Sequence, residues 1–117
     1  MKRRSLNKLR REIDALRRSP QKARALENVA KRLGRKRVKR GKEPTWESQE
    51  FAELYPLAVP HHGGRDLAPG TKNSILDQLE DDLLAWEARL TKEEEQDELL
   101  KLENENDSGS GENNGTV

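Results

Sequence analysis

The chain has 117 residues, 38% of them charged and 31% hydrophobic, with no cysteine and a formal net charge of +1. This composition supports one small domain, leaves no 18-residue apolar run for a membrane span, and excludes disulfides, thiolate zinc sites and cysteine nucleophiles. The near-neutrality is a cancellation: residues 1–42 carry 18 Lys+Arg against 3 Asp+Glu, net +15, and residues 43–117 carry 5 against 19, net −14. Charge asymmetry between halves points to a nucleic-acid or membrane-surface partner. The basic start lacks the apolar stretch of a signal peptide, so a cytoplasmic protein with no membrane partner is expected.

Over residues 5–18, Leu6, Leu9, Ile13 and Leu16 recur at 3-4-3 spacing, a narrow apolar stripe on an otherwise basic helix. Ser19-Pro20 reads as the N-cap and first-turn proline of a second helix. That helix carries Leu26, Val29, Ala30 and Leu33 on one face and ends at Gly34. A single helix kinked at Pro20 is the alternative. From 35 to 60 the period changes, giving a weak strand at 35–40, a turn at Gly41, a short extended piece around Trp46, and Leu57-Ala58-Val59 between two prolines as a strand near a sheet edge. Residues 60–70 form a glycine- and proline-rich loop, and Thr71 is the expected cap of the last helix. There Leu76, Leu79, Leu83, Trp86 and Leu90 keep a/d heptad spacing, widened at the start by Ile75.

The coarse order of helix, short strands and helix predicts an α+β unit: a small antiparallel sheet with helices on one face. All four aromatics (Trp46, Phe51, Tyr55, Trp86) fall between 46 and 86 and mark the core. The expected organisation is a basic N-terminal helix at 1–19 appended to a domain at 20–92, with an acidic tail at 93–117. That tail, rich in Asn, Gly, Ser and Glu, is expected to be mostly disordered. The heptad face either packs on the sheet and residues 26–33, or pairs with the oppositely charged Leu6–Leu16 helix, or joins a second chain in a homo-oligomer.

Six of the eight residues from Arg35 to Lys42 are basic. In a strand, Arg35, Arg37, Lys39, Arg40 and Lys42 would offer rows of cations to the phosphates of RNA, a salt-dependent contact that needs no sequence code. The acidic half folding over this run is the intramolecular alternative. The last helix carries Asp77, Glu80, Asp81, Asp82 and Glu87, so it can meet an anion only at its N-terminus, beside Lys72.

The stretch from Leu57 to Leu76 resembles the second half of the HicA toxin family. Pro60, His62, Leu67, Pro69, Gly70, Thr71, Ile75 and Leu76 match its apolar-Pro-x-His turn and its Pro-Gly-Thr helix start followed by Ile-Leu, and Arg65 stands where the family commonly has a basic residue. The likeness is close over about 20 residues and extends to the order of elements over roughly 20–90. It implies a double-stranded-RNA-binding-like fold and a metal-independent mRNA-cleaving toxin, free of cofactors and neutralised by a HicB-like antitoxin. The family's catalytic histidine sits in a Gly-Ser-x-His pattern, whereas this chain has Gly41-Lys42-Glu43-Pro44.

Metal-free RNA cleavage needs a group of near-neutral pKa to take the 2′-hydroxyl proton and another to protonate the leaving oxygen. His61 and His62 are the only imidazoles, and neighbours in an extended segment face opposite ways. His62 is the candidate acid or base, with Glu43 second; the structural alternative for His62 is a loop residue bonding a strand or helix terminus. RNA-binding residues are then Arg35, Arg37, Lys39, Arg40, Lys42, Arg65 and Lys72. A different reading of the whole chain is a non-catalytic nucleic-acid or protein-interaction module whose acidic tail screens the basic surface.

Overall fold

The computed structural model describes residues 1–39, 42–61 and 63–116, with side chains described as far as Asn104. The element order is α1 (Arg3–Arg17), α2 (Ala23–Arg32), β1 (Arg35–Val38), β2 (Thr45–Ser48), β3 (Leu57–Ala58) and α3 (Pro69–Thr116). The strands form one antiparallel sheet in the order β1-β2-β3. Its register sets Arg37 opposite Trp46 and Trp46 opposite Leu57. Directly opposed residues share a sheet face, so Arg35, Arg37, Trp46 and Leu57 lie on the side covered by helices. Lys36, Val38, Glu47 and Ala58 lie on the other. This is the expected α+β unit with its helices on one face.

The helix α1 is not appended to this unit. Leu6, Leu9 and Ile13 are buried with Leu76, Leu79, Leu83, Trp86 and Leu90 of α3 in one continuous core. Of the three expectations for the heptad face, the first two are realised together: the stripe packs both on α1 and on the core under the sheet and α2, and its positions from Leu76 to Leu90 are buried within the chain. Each fully buried leucine or isoleucine contributes about 1.5–3 kcal/mol, so the three from α1 hold the helix in place. Charge sets its direction. Arg3 pairs with Glu87 (2.6 Å) and Glu94 (2.7 Å), Arg10 with Glu87 (3.0 Å), and Arg17 with Asp77 (2.7 Å) and Glu80 (2.9 Å), an antiparallel ladder. Such part-exposed pairs are worth about 0–1 kcal/mol each, enough to choose an orientation and too little to drive docking alone.

The junctions depart from the sequence expectation for traceable reasons. Residues 19–22 are spent on the loop before α3 instead of opening α2: Leu67 N donates to Gln21 O at 2.8 Å, and Lys22 bridges Asp66. α2 therefore starts at Ala23. Gly34 adopts φ +97° just beyond α2, where a side chain would be strained. α3 begins at Pro69 rather than Thr71, with the proline in the first turn where it forfeits no hydrogen bond. The last buried position of α3 is Leu90. Beyond it the backbone continues as helix to Thr116 in place of the expected irregular tail. Once nucleated by the packed part, a helix gains one bond per residue added, and residues 91–103 are good helix formers. Propensity does not account for the glycine- and asparagine-rich turns that follow. No helix among the described residues is long and apolar enough to cross a membrane.

Candidate nucleic-acid interface

Two of the sequence-nominated cations are inside the fold. The side chains of Arg35 and Asp82 are each 1% exposed and form a two-armed pair, Nε to Oδ2 at 2.8 Å and Nη2 to Oδ1 at 2.8 Å. Arg35 Nη1 also donates to the carbonyls of Trp46 (2.9 Å) and Tyr55 (3.0 Å). Burial pushes the Asp82 carboxyl above its ordinary range, and the Arg35 fork opposes that shift. Arg35 is thus a tie between β1 and α3 rather than a phosphate contact: leaving Asp82 would strand a buried carboxylate. Asp82, one of the five acids noted on the last helix, is thus turned inward. It falls seven residues after Ile75, on the edge that widens the apolar stripe.

Lys72 is likewise buried, at 5% exposure. Its Nζ donates to the carbonyls of Arg17 and Ser19, both at 2.9 Å, closing the C-terminal end of α1. It is a cap and offers nothing to an anion at the start of α3.

The remaining nominated residues separate into three groups. Arg37 is exposed on β1 and lines a groove between α2 and the sheet. Lys39, Lys42, Glu43 and Arg65 are exposed but are not among that groove's lining residues, so Glu43 does not join the cations around it. Arg40 and His62 lie outside the described residues.

The groove encloses about 690 Å³, and its lining holds His61, the imidazole next to the catalytic candidate His62 and not itself among the expected site residues. His61 Nε2 lies 3.0 Å from Oε1 of Glu27, and Trp46 Nε1 donates to the other oxygen, Oε2, at 3.1 Å. Glu27 is buried on α2, while the His61 side chain is 47% exposed. A carboxylate locked from both sides therefore orients a half-exposed imidazole. A proton on Nε2 donated to Glu27 would leave Nδ1 as the acceptor of the neutral ring. Around this pair stand Arg24 and Lys31 from α2 with Arg37 from β1, all exposed, while Lys36 borders the groove from a strand position whose side chain belongs to the other sheet face. Lys31 Nζ also lies 5.6 Å over the Trp46 ring.

One sequence signal could have found this wall. Arg24, Glu27, Asn28 and Lys31 fall at i, i+3, i+4 and i+7, the polar face of α2. That Glu27 would turn inward toward Trp46 and His61 depends on tertiary contacts, across sequence separations of 19 and 34 residues.

Electrostatically the groove is open. The carboxylates of α3 that could have screened it are engaged with α1 instead: the hydrogen bonds from Arg10 and Arg3 hold Glu87 below the usual glutamate range, and Arg3 does the same to Glu94. Arg3 is in turn raised by Glu94 and Glu87, and Arg17 by Asp77 and Glu80. Among the described residues no cluster of three or more His, Cys, Asp or Glu side chains is placed to hold a metal. No family model, curated protein or solved structure matches the chain.

Proposed function

We propose that this chain is an RNA-binding protein of the HicA-like kind, that it grips the phosphate backbone in the groove between α2 and β1, and that His61 supplies acid–base chemistry for metal-independent cleavage there. The observation that carries the reading is a half-exposed imidazole held on a buried carboxylate and flanked by Arg24, Lys31 and Arg37. A phosphate drawn in by these cations would lie beside an imidazole held by a buried carboxylate. A sheet with helices on one face supports the finer assignment of a double-stranded-RNA-binding-like fold.

In this mechanism His61 Nδ1 takes the proton of a ribose 2′-hydroxyl, and the 2′-oxygen forms a bond to the adjacent phosphorus. The P–O5′ bond breaks, the 5′-oxygen takes a proton from a water molecule in the open groove, and the products are a 2′,3′-cyclic phosphate and a 5′-hydroxyl; the proton on His61 returns to solvent. The cations stabilise charge on the phosphorane. Glu27 positions the imidazole and does not touch substrate. A HicB-like antitoxin is the protein partner this reading implies, and it would have to cover the same groove.

The test is incubation of the full chain with a mixed RNA in EDTA, scored for cleavage and binding. His61→Ala should abolish cleavage with affinity nearly unchanged, and Glu27→Gln should lower the rate and alter its pH profile. Cleavage unchanged in His61→Ala but lost in His62→Ala would move the chemistry to the neighbouring histidine. RNA binding without cleavage in the parent protein would leave a non-catalytic binding module, and no binding would refute both.

A further inference from the structure

The basic residues of α1 divide between two faces. Arg3, Arg10 and Arg17, seven apart, face the carboxylates of α3. Arg4, Lys8, Arg11 and Arg18 fall on a second line, turned away from the buried Leu6–Leu9–Ile13 stripe. All four are exposed, and among the described residues none enters an ion pair. At 1.5 Å per residue this second line runs about 21 Å from Arg4 to Arg18.

The line is continuous with the groove. A second depression, between α1 and α2, is lined by Lys8, Lys31, Arg32 and Trp86 among others. Lys31 belongs to both depressions and so forms their shared wall. The one carboxylate in the second lining, Glu50, is occupied by Arg89 at 2.8 Å. Positive charge therefore extends from Arg37 across α2 at Lys31 to Lys8, and from there along the outside of α1. The buried leucines fix α1 relative to the groove, so a ligand engaging both surfaces orders no linker.

We propose that the outward face of α1 is a second contact for the same RNA, and that the ligand is a duplex long enough to reach both surfaces. The inference rests on the reading of the groove as an RNA site. A duplex fits better than a short single strand because its phosphates hold fixed positions at high charge density, which two rigid cationic surfaces can engage together. α1 then does two jobs with one helix: its paired arginines neutralise α3, and its free cations extend the binding track.

The experiment compares the full chain with two variants, Arg4→Gln/Lys8→Gln/Arg11→Gln on α1 and Arg24→Gln/Lys31→Gln/Arg37→Gln in the groove. Binding is measured for a 20-base-pair RNA duplex and an eight-nucleotide single strand between about 50 and 200 mM salt, with thermal melts to show that the fold is kept. The α1 variant should lose about 10²-fold in duplex affinity near 0.1 M salt, and its log–log salt slope should fall by about 2–3, since each phosphate contact contributes about 0.9. Its affinity for the single strand should not change, whereas the groove variant should lose both ligands. Unchanged duplex binding by the α1 variant, with loss in the groove variant, overturns the second contact and leaves the groove reading standing. No loss in either variant overturns both. Phosphatidylserine vesicles form a third arm: if the α1 variant loses vesicle binding while keeping duplex binding, the face serves an anionic lipid surface and the proposal fails.

Discussion

Replacing Arg35 with methionine removes both arms of the fork that holds Asp82 and the donor to the Trp46 and Tyr55 carbonyls. The carboxylate cannot move to water, because its side chain is 1% exposed. Breaking a buried pair from one side costs about 3–5 kcal/mol. A second route gives a similar figure. Asp82 can instead protonate, and from an ordinary value of 3.8 that costs about 3 pH units at neutrality, or about 4 kcal/mol at 1.36 kcal/mol per unit. A domain of this size has about 5–13 kcal/mol in total. Urea unfolding followed by the fluorescence of Trp46 and Trp86 should therefore show Arg35→Met losing about a quarter or more of its stability, with a melting temperature lower by at least about 12 °C. The deficit should shrink as pH falls toward 4. The unpaired, buried Asp82 of the variant has a raised folded-state pKa, so proton binding favours its folded state. The double variant Arg35→Met/Asp82→Leu removes the stranded charge and should return to within about 1 kcal/mol of the parent or exceed it. A loss below about 1 kcal/mol without pH dependence, or a drop in RNA affinity at unchanged stability, would refute the burial argument and return Arg35 to the binding surface.

Lys72→Met should cost about 1.5–3 kcal/mol in the same unfolding assay, the worth of hydrogen bonds from a charged donor, while leaving RNA affinity and its salt slope unaltered. A lowered slope would mean that Lys72 meets phosphate. Glu87 and Glu94 have depressed folded-state values, so their contribution is present above the ordinary glutamate value of 4.5 and is lost as pH falls below it. The stability difference between the parent and Glu87→Gln/Glu94→Gln should accordingly be largest near neutrality, vanish in acid, and shrink in 1 M salt. A difference that is flat with pH would mean that the arginines of α1 do not hold these carboxylates in solution.

Much of the architecture is legible because it is written in local periodicity. The 3-4-3 leucines of α1, the apolar face of α2 and the heptad of α3 each follow from a helix presenting one face to a core. The pairing of a basic α1 with an acidic α3 was also open to inspection as charge complementarity. Less legible were the ends of elements: Ser19 and Thr71 have the chemistry of caps, yet the carbonyl of Ser19 serves Lys72 and α3 opens two residues before Thr71.

The roles of individual charges belong to the tertiary structure. Arg35 and Arg37 are two residues apart on the same sheet face, chemically identical and equally basic in context. One lies under α3 beside Asp82, 47 residues later in the chain, and the other emerges at the rim of a groove. Glu27 similarly differs from the other carboxylates only because Trp46 and His61 converge on it. By itself the sequence determined which segments of the packed unit up to Leu90 are helical or extended, which faces are apolar, and that a cationic half adjoins an anionic one. Only the fold decided which cations are consumed by carboxylates and which stay free, because a charge's partner is chosen by distance in space and by what burial would otherwise cost, and neither quantity is local to the chain.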